Sequence, residues 1–346
     1  AMLRAVFRTE NVLTIPLSAP GSVGMETCLV NLLEPGDTAI ICVNGAFGSR
    51  MADIAGRCGA NTVIIKQSWG EPVDIDKVEA ACAANNKATL LSFVHAETST
   101  GAKSDAAALC EIAKKNGALS VVDAVTSLGG IPVDVDAWGA DATYSGTQKC
   151  LSCPPGLSPI TISSRAAHRI KARSKPVQSW FMDLGPVMSY WDSSGGRVYH
   201  HTAPVNAMYG LHEALTILLE EGLEASWSRH AVMHKALWAG LDFLGLKRHV
   251  EESHSLPQLN TVCIPDYVDD AVVRQNLLNN YGIEIGAGLG ELAGKVWRVG
   301  LMGETSRANS VRRFLVALEK ELSSFQKISI PGEALVAAEK ILKVSL

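Results

Sequence analysis

The sequence predicts an α/β protein in which a large unit on a mostly parallel, seven-stranded sheet is followed by a smaller C-terminal α/β unit. Two observations carry that expectation. Over the first two-thirds of the 346 residues, short apolar runs alternate with amphipathic stretches of helical period. The apolar runs are also nearly continuous, as strands covered on both faces must be. The strand candidates are Val12–Leu17, Thr38–Val43, Thr62–Lys66, Thr89–Val94, Leu119–Val122, Ala142–Ser145 and Pro159–Ile162. Helical patterns separate most of them, at Gly21–Leu33, Phe47–Cys58, Asp74–Ala84 and Asp105–Asn116. Glu34-Pro35-Gly36-Asp37 and Asn116-Gly117 supply turn signals where two of these helices should stop.

The pattern changes after Gly196. Val205–Glu221 and Leu223–Leu244 read as long helices, and Val205, Met208, Leu211, Leu215 and Leu218 form an apolar stripe whose simplest role is core packing. Strand candidates Leu259–Ile264 and Val296–Leu301 and helices Asp269–Tyr281 and Ala308–Leu322 follow. The expected division is therefore 1–222 for the large unit and 223–346 for the small one.

Composition narrows the function classes. A hydrophobic share of 47% with 19% charged residues suits a globular chain with one or two cores. A net charge of −4 without a basic cluster argues against a nucleic-acid binder. No apolar run approaches the ~20 residues of a membrane span, and the first ten residues lack a signal-peptide core. The expectation is a cytoplasmic protein without membrane or nucleic-acid partners. The eight cysteines lie within predicted helices and strands, as reduced cysteines do. Cys150 and Cys153 have a CxxC spacing but no second pair, so no metal site is expected and both thiols read as structural.

In an open parallel sheet, ligands gather at the carboxyl ends of the strands. Three polar groups fall there: the loop His95 to Gly101, Asp123 and Lys149. Taken alone, Lys149 is a solvated loop lysine. Its functional reading is a partly desolvated amine, lowered in pKa, that condenses with an aldehyde. Asp123 changes the weighing, because a carboxylate ending the apolar run Ala118–Val122 needs a partner. A protonated pyridine nitrogen is such a partner, and the pair makes the ring an electron acceptor. Pro20-Gly21-Ser22-Val23-Gly24 leads from a strand into a helix, where small residues at the N-terminus suit an anion. That segment lacks the three-glycine fingerprint of dinucleotide folds.

Five segments together carry a family resemblance. Ser145-Gly146-Thr147-Gln148-Lys149-Cys150-Leu151, followed by Pro154-Pro155-Gly156, resembles the lysine segment of class V aminotransferases. Val122-Asp123-Ala124-Val125-Thr126-Ser127-Leu128-Gly129-Gly130 resembles their aspartate segment. His95 to Gly101, Tyr199-His200-His201-Thr202 and Val296-Trp297-Arg298-Val299-Gly300-Leu301 match in the same order. The likeness runs from about Val12 to Leu322, within the alanine–glyoxylate and serine–pyruvate (or serine–glyoxylate) branch. It implies a fold type I pyridoxal 5'-phosphate enzyme that moves an amino group from alanine or serine to glyoxylate or pyruvate.

The resemblance also implies roles. Lys149 is the Schiff-base lysine and proton carrier, Asp123 partners the ring nitrogen, Val125 packs on one ring face, and Phe47 stacks on the ring. Gln148, Gly21 and Ser22 meet the phosphate, and Ser99 lies near cofactor and substrate carboxylate. Arg298 clamps that carboxylate, which its planar fork suits. Tyr199 and Thr202 reach the phosphate of a neighbouring subunit, so a homodimer with active sites at the interface is implied. Pyridoxamine or aminoethylphosphonate donors stay open, as does a lyase such as a cysteine desulfurase, although no cysteine lies in a polar, glycine-rich loop. A non-enzymatic relative is the remaining reading, disfavoured by the joint presence of Lys149, Asp123 and Arg298.

Two departures qualify the match. Ala19-Pro20 stands where relatives carry a hydroxyl residue, and proline has neither hydroxyl nor N–H, so weaker cofactor retention is expected. The chain is also expected to lack an N-terminal segment that relatives carry ahead of Val12, including an arm that crosses the dimer. The tail beyond Leu322, with Ile330-Pro331-Gly332-Glu333 leading into a short helical pattern, has no functional reading. Val344-Ser345-Leu346 is a poor peroxisomal address.

Overall fold

The computed structural model describes residues 1–191, 199–325 and 331–344. Gly196, Ile330 and the final Ser345-Leu346 therefore lie outside the described residues. The chain opens with α1 (Met2–Phe7), then runs β1 (Leu13–Leu17), α2 (Gly21–Leu32), β2 (Thr38–Val43), α3 (Ala46–Arg57), β3 (Asn61–Lys66), α4 (Ile75–Ala84) and β4 (Leu90–Val94). A two-stranded ribbon, β5 (Ala96–Glu97) with β6 (Ala102–Lys103), precedes α5 (Ala106–Lys115), β7 (Leu119–Asp123), α6 (Val135–Trp138), β8 (Ala142–Tyr144) and β9 (Ser158–Ile162).

The seven expected strands form one sheet in the order β1-β9-β8-β7-β4-β2-β3. Strands β3, β2, β4, β7 and β8 pair in parallel, while β9 runs against both of its neighbours. Two reversals leave β1 pointing the same way as the parallel set. The apolar runs are continuous because alternate residues enter opposite cores. Ile40, Cys42, Leu91, Phe93 and Val122 join one buried cluster, and Ile41, Val43, Leu90 and Val121 join the other. Asp74 and Asp105 turn out to be N-caps rather than first helical residues, accepting from Lys77 N–H at 3.2 Å and Ala108 N–H at 3.0 Å.

Beyond the sheet come α7 (Ser164–Lys171), α8 (Leu184–Trp191), α9 (Val205–Glu221) and α10 (Leu223–Phe243). Leu211, Leu215 and Leu218 of the α9 stripe are buried as expected, but Val205 in its first turn is exposed. The second sheet has the order β10-β11-β13-β12, from β10 (Lys247–Arg248), β11 (Leu259–Cys263), β12 (Gly286–Ala287) and β13 (Val296–Gly300). α11 (Asp270–Tyr281) and α12 (Ala308–Leu322) accompany it, and with α10 they share a third apolar cluster. The tail forms α13 (Glu333–Val344), which buries Ala334, Ala338 and Leu342. Arg312 of α12 pairs with Glu339 of α13. No described helix is long and apolar enough to cross a membrane.

Short helices α1, α7 and α8 and the β5–β6 ribbon are not visible in the sequence pattern. α7 has only eight residues, most of them polar, and α8 carries Pro186 in its first turn. Neither offers two full turns of apolar period.

The start of α2 is seated by Gly24, where a Cβ would overlap Ser158 Oγ. That hydroxyl cannot swing away without losing its bond to the Ser145 carbonyl at 2.7 Å. Gly24→Ala should therefore lower unfolding stability by about 1–3 kcal/mol, the usual range for overpacking, as measured by urea denaturation. A variant as stable as the parent would show that α2 can shift freely.

Candidate active site

Five segments at the carboxyl edge of the large sheet line one cavity of about 130 Å³. Gly21 and Ser22 follow β1, Phe47 follows β2, Thr98 follows β4, and Asp123 ends β7. Val125 lies just past it, and Gln148 and Lys149 follow β8.

Asp123 is 3% exposed. Register sets its partner: β7 and β8 place Asp123 beside Tyr144, whose hydroxyl donates to Oδ2 at 2.7 Å. The Val125 N–H donates to Oδ1 at 2.8 Å. Burial pushes the carboxyl up to about 7 against these two bonds, and the nearby Glu97 charge adds to the rise. A buried carboxylate aimed at a cavity is a site built for a cation.

Lys149 is half-buried and, among the described residues, forms no salt bridge. Burial lowers its amine below the ordinary lysine range, and the positive charge of Arg298 lowers it further. The turn that carries it is tightly held: Ser152 N–H donates to the Lys149 carbonyl at 3.0 Å and Cys153 N–H to the Thr147 carbonyl at 3.1 Å. Ser152 adopts a left-handed conformation (φ 56°), unusual for a residue with a Cβ. Its hydroxyl accepts the Glu304 N–H at 2.8 Å, tying the lysine turn to the loop that follows β13.

Arg298 stands on β13. Its Nε donates to the Ala287 carbonyl at 2.7 Å and its Nη1 to the Thr98 carbonyl at 3.3 Å. No carboxylate pairs with it among the described residues, which leaves the guanidinium charge for a ligand. The opposite end of the cavity suits an anion. α2 begins at Pro20, whose carbonyl accepts Val23 N–H at 2.8 Å. The N–H groups of Gly21 and Ser22 have no backbone acceptor among the described residues, as in any first helical turn. Arg50 adds a cation there, donating to Ser22 Oγ at 3.0 Å and lying 5.1 Å from the Phe47 ring centre.

Seven of the sequence candidates thus line one cavity: Gly21, Ser22, Phe47, Asp123, Val125, Gln148 and Lys149. Arg298 borders it through Thr98. Ser99 does not line the cavity: its hydroxyl donates to Glu97 at 2.6 Å and accepts Ala46 N–H at 2.9 Å, while the neighbouring Thr98 lines it. Tyr199 and Thr202 are exposed and bonded to each other at 2.9 Å, away from this chain's own cavity. Cys150 and Cys153 are free and buried, and Cys150 Sγ donates to the Thr126 carbonyl at 3.4 Å. His95 packs edge-on against Trp138 at 5.0 Å, with burial holding its ring down to about 3.

Tyr144, Glu97 and Arg50 escaped the sequence reading. Tyr144 was legible as a strand residue only, since its pairing depends on the register of two strands. Arg50 was detectable by its i+3 spacing from Phe47 on α3.

The Asp123 shift makes a stability prediction. A carboxyl whose folded pKa lies above its unfolded value destabilises the fold when ionised. Stability is retained below the ordinary value near 4 and lost as pH rises toward about 7. The cofactor-free protein should therefore lose stability between pH 4 and 7 through this group. Asp123→Asn should flatten that part of the denaturation profile, and an unchanged profile would contradict the assigned burial effect.

Comparison with known proteins agrees with this geometry. Residues 10–308 match the family model described as aminotransferase class-V. The chain is 38% identical to alanine–glyoxylate aminotransferase of Oryctolagus cuniculus, over 92% of this chain and 82% of that protein. The solved alanine–glyoxylate aminotransferase of Nostoc sp. is 48% identical, with a TM-score of 0.90 over 93% of this chain and 84% of its own. The ureidoglycine–glyoxylate aminotransferase of Bacillus subtilis is 37% identical, with a TM-score of 0.95 over 99% and 88%. This chain belongs to the class V aminotransferases, pyridoxal-phosphate enzymes of fold type I.

Proposed function

We propose that this chain moves the amino group of a small amino acid, alanine or serine, to a small 2-oxo acid, glyoxylate or pyruvate. The observation that carries it is one cavity with an anion-binding helix start at one end, the Asp123 carboxylate and Lys149 amine within it, and the unpaired Arg298 at its border. Those donors fit pyridoxal phosphate. Gly21, Ser22, Gln148 and Arg50 would hold its phosphate, Asp123 its ring nitrogen, and Phe47 and Val125 its two ring faces. When bound, the cofactor supplies an electrophilic carbon for amines and a ring that accepts electrons.

The side chains then divide the work. Arg298 orients the substrate by gripping its carboxylate with two parallel N–H donors. The Lys149 amine, kept below its usual range by burial, takes the proton from the substrate Cα and returns it elsewhere. Asp123 is anchored through both oxygens and so would be already aimed at the positive ring nitrogen, beside which it would stay ionised. Met25, Val94 and Ala96 help exclude water from the same cavity.

On this reading, residues 1–222 form the unit that holds the cofactor, and 223–346 form the smaller unit that contributes Arg298. The separate apolar cluster around β11, β13 and α10 to α12 supports that division. The same reading makes the protein a homodimer, with Tyr199 and Thr202 facing the partner's phosphate. Exposed Trp180, Phe181, Tyr199 and Tyr209 give an aromatic surface suited to such an interface. Sedimentation at twice the chain mass is expected, and a monomer retaining full activity would overturn the dimeric site.

A second donor, (S)-ureidoglycine, is favoured by the likeness to the Bacillus subtilis enzyme over nearly the whole chain. Purified protein given pyridoxal phosphate should show a visible band that bleaches with the true donor and returns with glyoxylate. A panel of alanine, serine and ureidoglycine identifies that donor. Lys149→Ala should abolish the band and lower turnover by about 10³-fold or more. Arg298→Lys should raise KM for both substrates by about 10–100-fold, because lysine cannot form the paired contact. A Lys149→Ala enzyme with normal turnover would sink the assignment.

A further inference from the structure

Glu97 is a buried acid that the reaction as derived leaves without a task. Its side chain is fully enclosed and takes four hydrogen bonds, two on each oxygen. Ser99 donates its N–H (3.0 Å) and hydroxyl (2.6 Å) to Oε1. Phe47 N–H (3.2 Å) and Gly48 N–H (3.3 Å) donate to Oε2. Burial raises the Glu97 carboxyl above its ordinary range, and these four donors oppose that rise, favouring the ionised form, which only accepts. The Phe47 and Gly48 groups are first-turn donors of the twelve-residue helix α3, a favourable place for negative charge.

The surrounding glycines are shaped around this acid. At Gly45 a Cβ would overlap the Glu97 side chain and Ser99 Oγ, and at Gly48 it would meet the Cys42 carbonyl at 2.6 Å. The Gly45-Ala46-Phe47-Gly48 turn and the Glu97-Thr98-Ser99 loop therefore form one packing unit, with Phe47 aimed into the cavity from it. The charge also reaches the groups facing it from other strands. It favours protonation of Asp123 on β7 and Tyr144 on β8, and holds charge on Arg298 of β13.

We propose that Glu97 is a positioning residue that sets the Phe47 ring against the cofactor and supplies the negative charge that faces Arg298 before substrate arrives. The proposal rests on the reading that the cofactor sits on Lys149 with Phe47 on its face. Glu97→Gln keeps the size of the side chain but turns a donor toward one of the two donor pairs.

The test titrates pyridoxal phosphate into the cofactor-free protein and records visible absorption and induced circular dichroism against cofactor concentration. Glu97→Gln should weaken cofactor binding about 10-fold or more and reduce the induced dichroism per bound cofactor. Ser99→Ala, which removes a single donor, should shift binding in the same direction by a smaller factor and covers the case in which Glu97→Gln does not fold. A purely structural Glu97 would lower the thermal midpoint of the cofactor-free protein while leaving the induced dichroism per bound cofactor at the parental value. That result overturns the proposal, as does parental affinity in both variants. A parental protein with no lysine-bound band overturns the underlying site reading instead, so the two failures are told apart.

Discussion

A carboxylate at the end of β7, nearly out of reach of water, sets the terms for the rest of this protein. Asp123 is held through Oδ1 by its own turn and through Oδ2 by Tyr144 on the neighbouring strand. An isolated buried charge is costly, and two neutral donors do not remove that cost, which is why its pKa stands near 7. The site is therefore incomplete in the physical sense until a cation meets that carboxylate. The fold accepts local instability at its centre in exchange for an acid that is already oriented.

Around that acid, charge is distributed in a nearly balanced set. Lys149 and Asp123 line the cavity, Arg298 stands at its border, Glu97 is enclosed behind the Phe47 turn, and Arg50 with the start of α2 adds positive potential at the far end. Arg298 lowers the Lys149 amine from across the cavity's border. Lys149 comes on a turn of the large sheet, and Arg298 on a strand of the small one. Ser152, strained into a left-handed conformation, joins them by accepting the Glu304 N–H. Strain at such a position persists only where the surroundings over-determine it.

Much of the large unit was legible in the sequence, and particular residues show why. Thr38–Val43 was read to the residue because each alternate side chain enters an apolar cluster on one face or the other. α9 and α12 were equally clear, since both sustain an apolar period over four or more turns. α8 was not, because eight residues with an internal proline carry no period to read. Among the residues at the cavity, Lys149, Asp123 and Gly21 were legible by their place at or after strands, and Arg298, at its border, by its family segment. The turn after β5 points Thr98 into the cavity and turns Ser99 onto Glu97, which the spacing of the loop does not encode.

The sequence by itself determined the strand–helix alternation, the class V family and most of the candidate residues that line the cavity at the sheet's carboxyl edge. These are properties of local pattern and of motifs a few residues long. Only the tertiary structure decided which groups act on one another: Tyr144 on Asp123, Glu97 on Phe47, Ser152 on Glu304 and Thr98 on Arg298. Each of those pairs joins segments that are distant in the chain or opposed across a sheet. Their meeting depends on register and on the packing of one unit against another, and no local spacing encodes either.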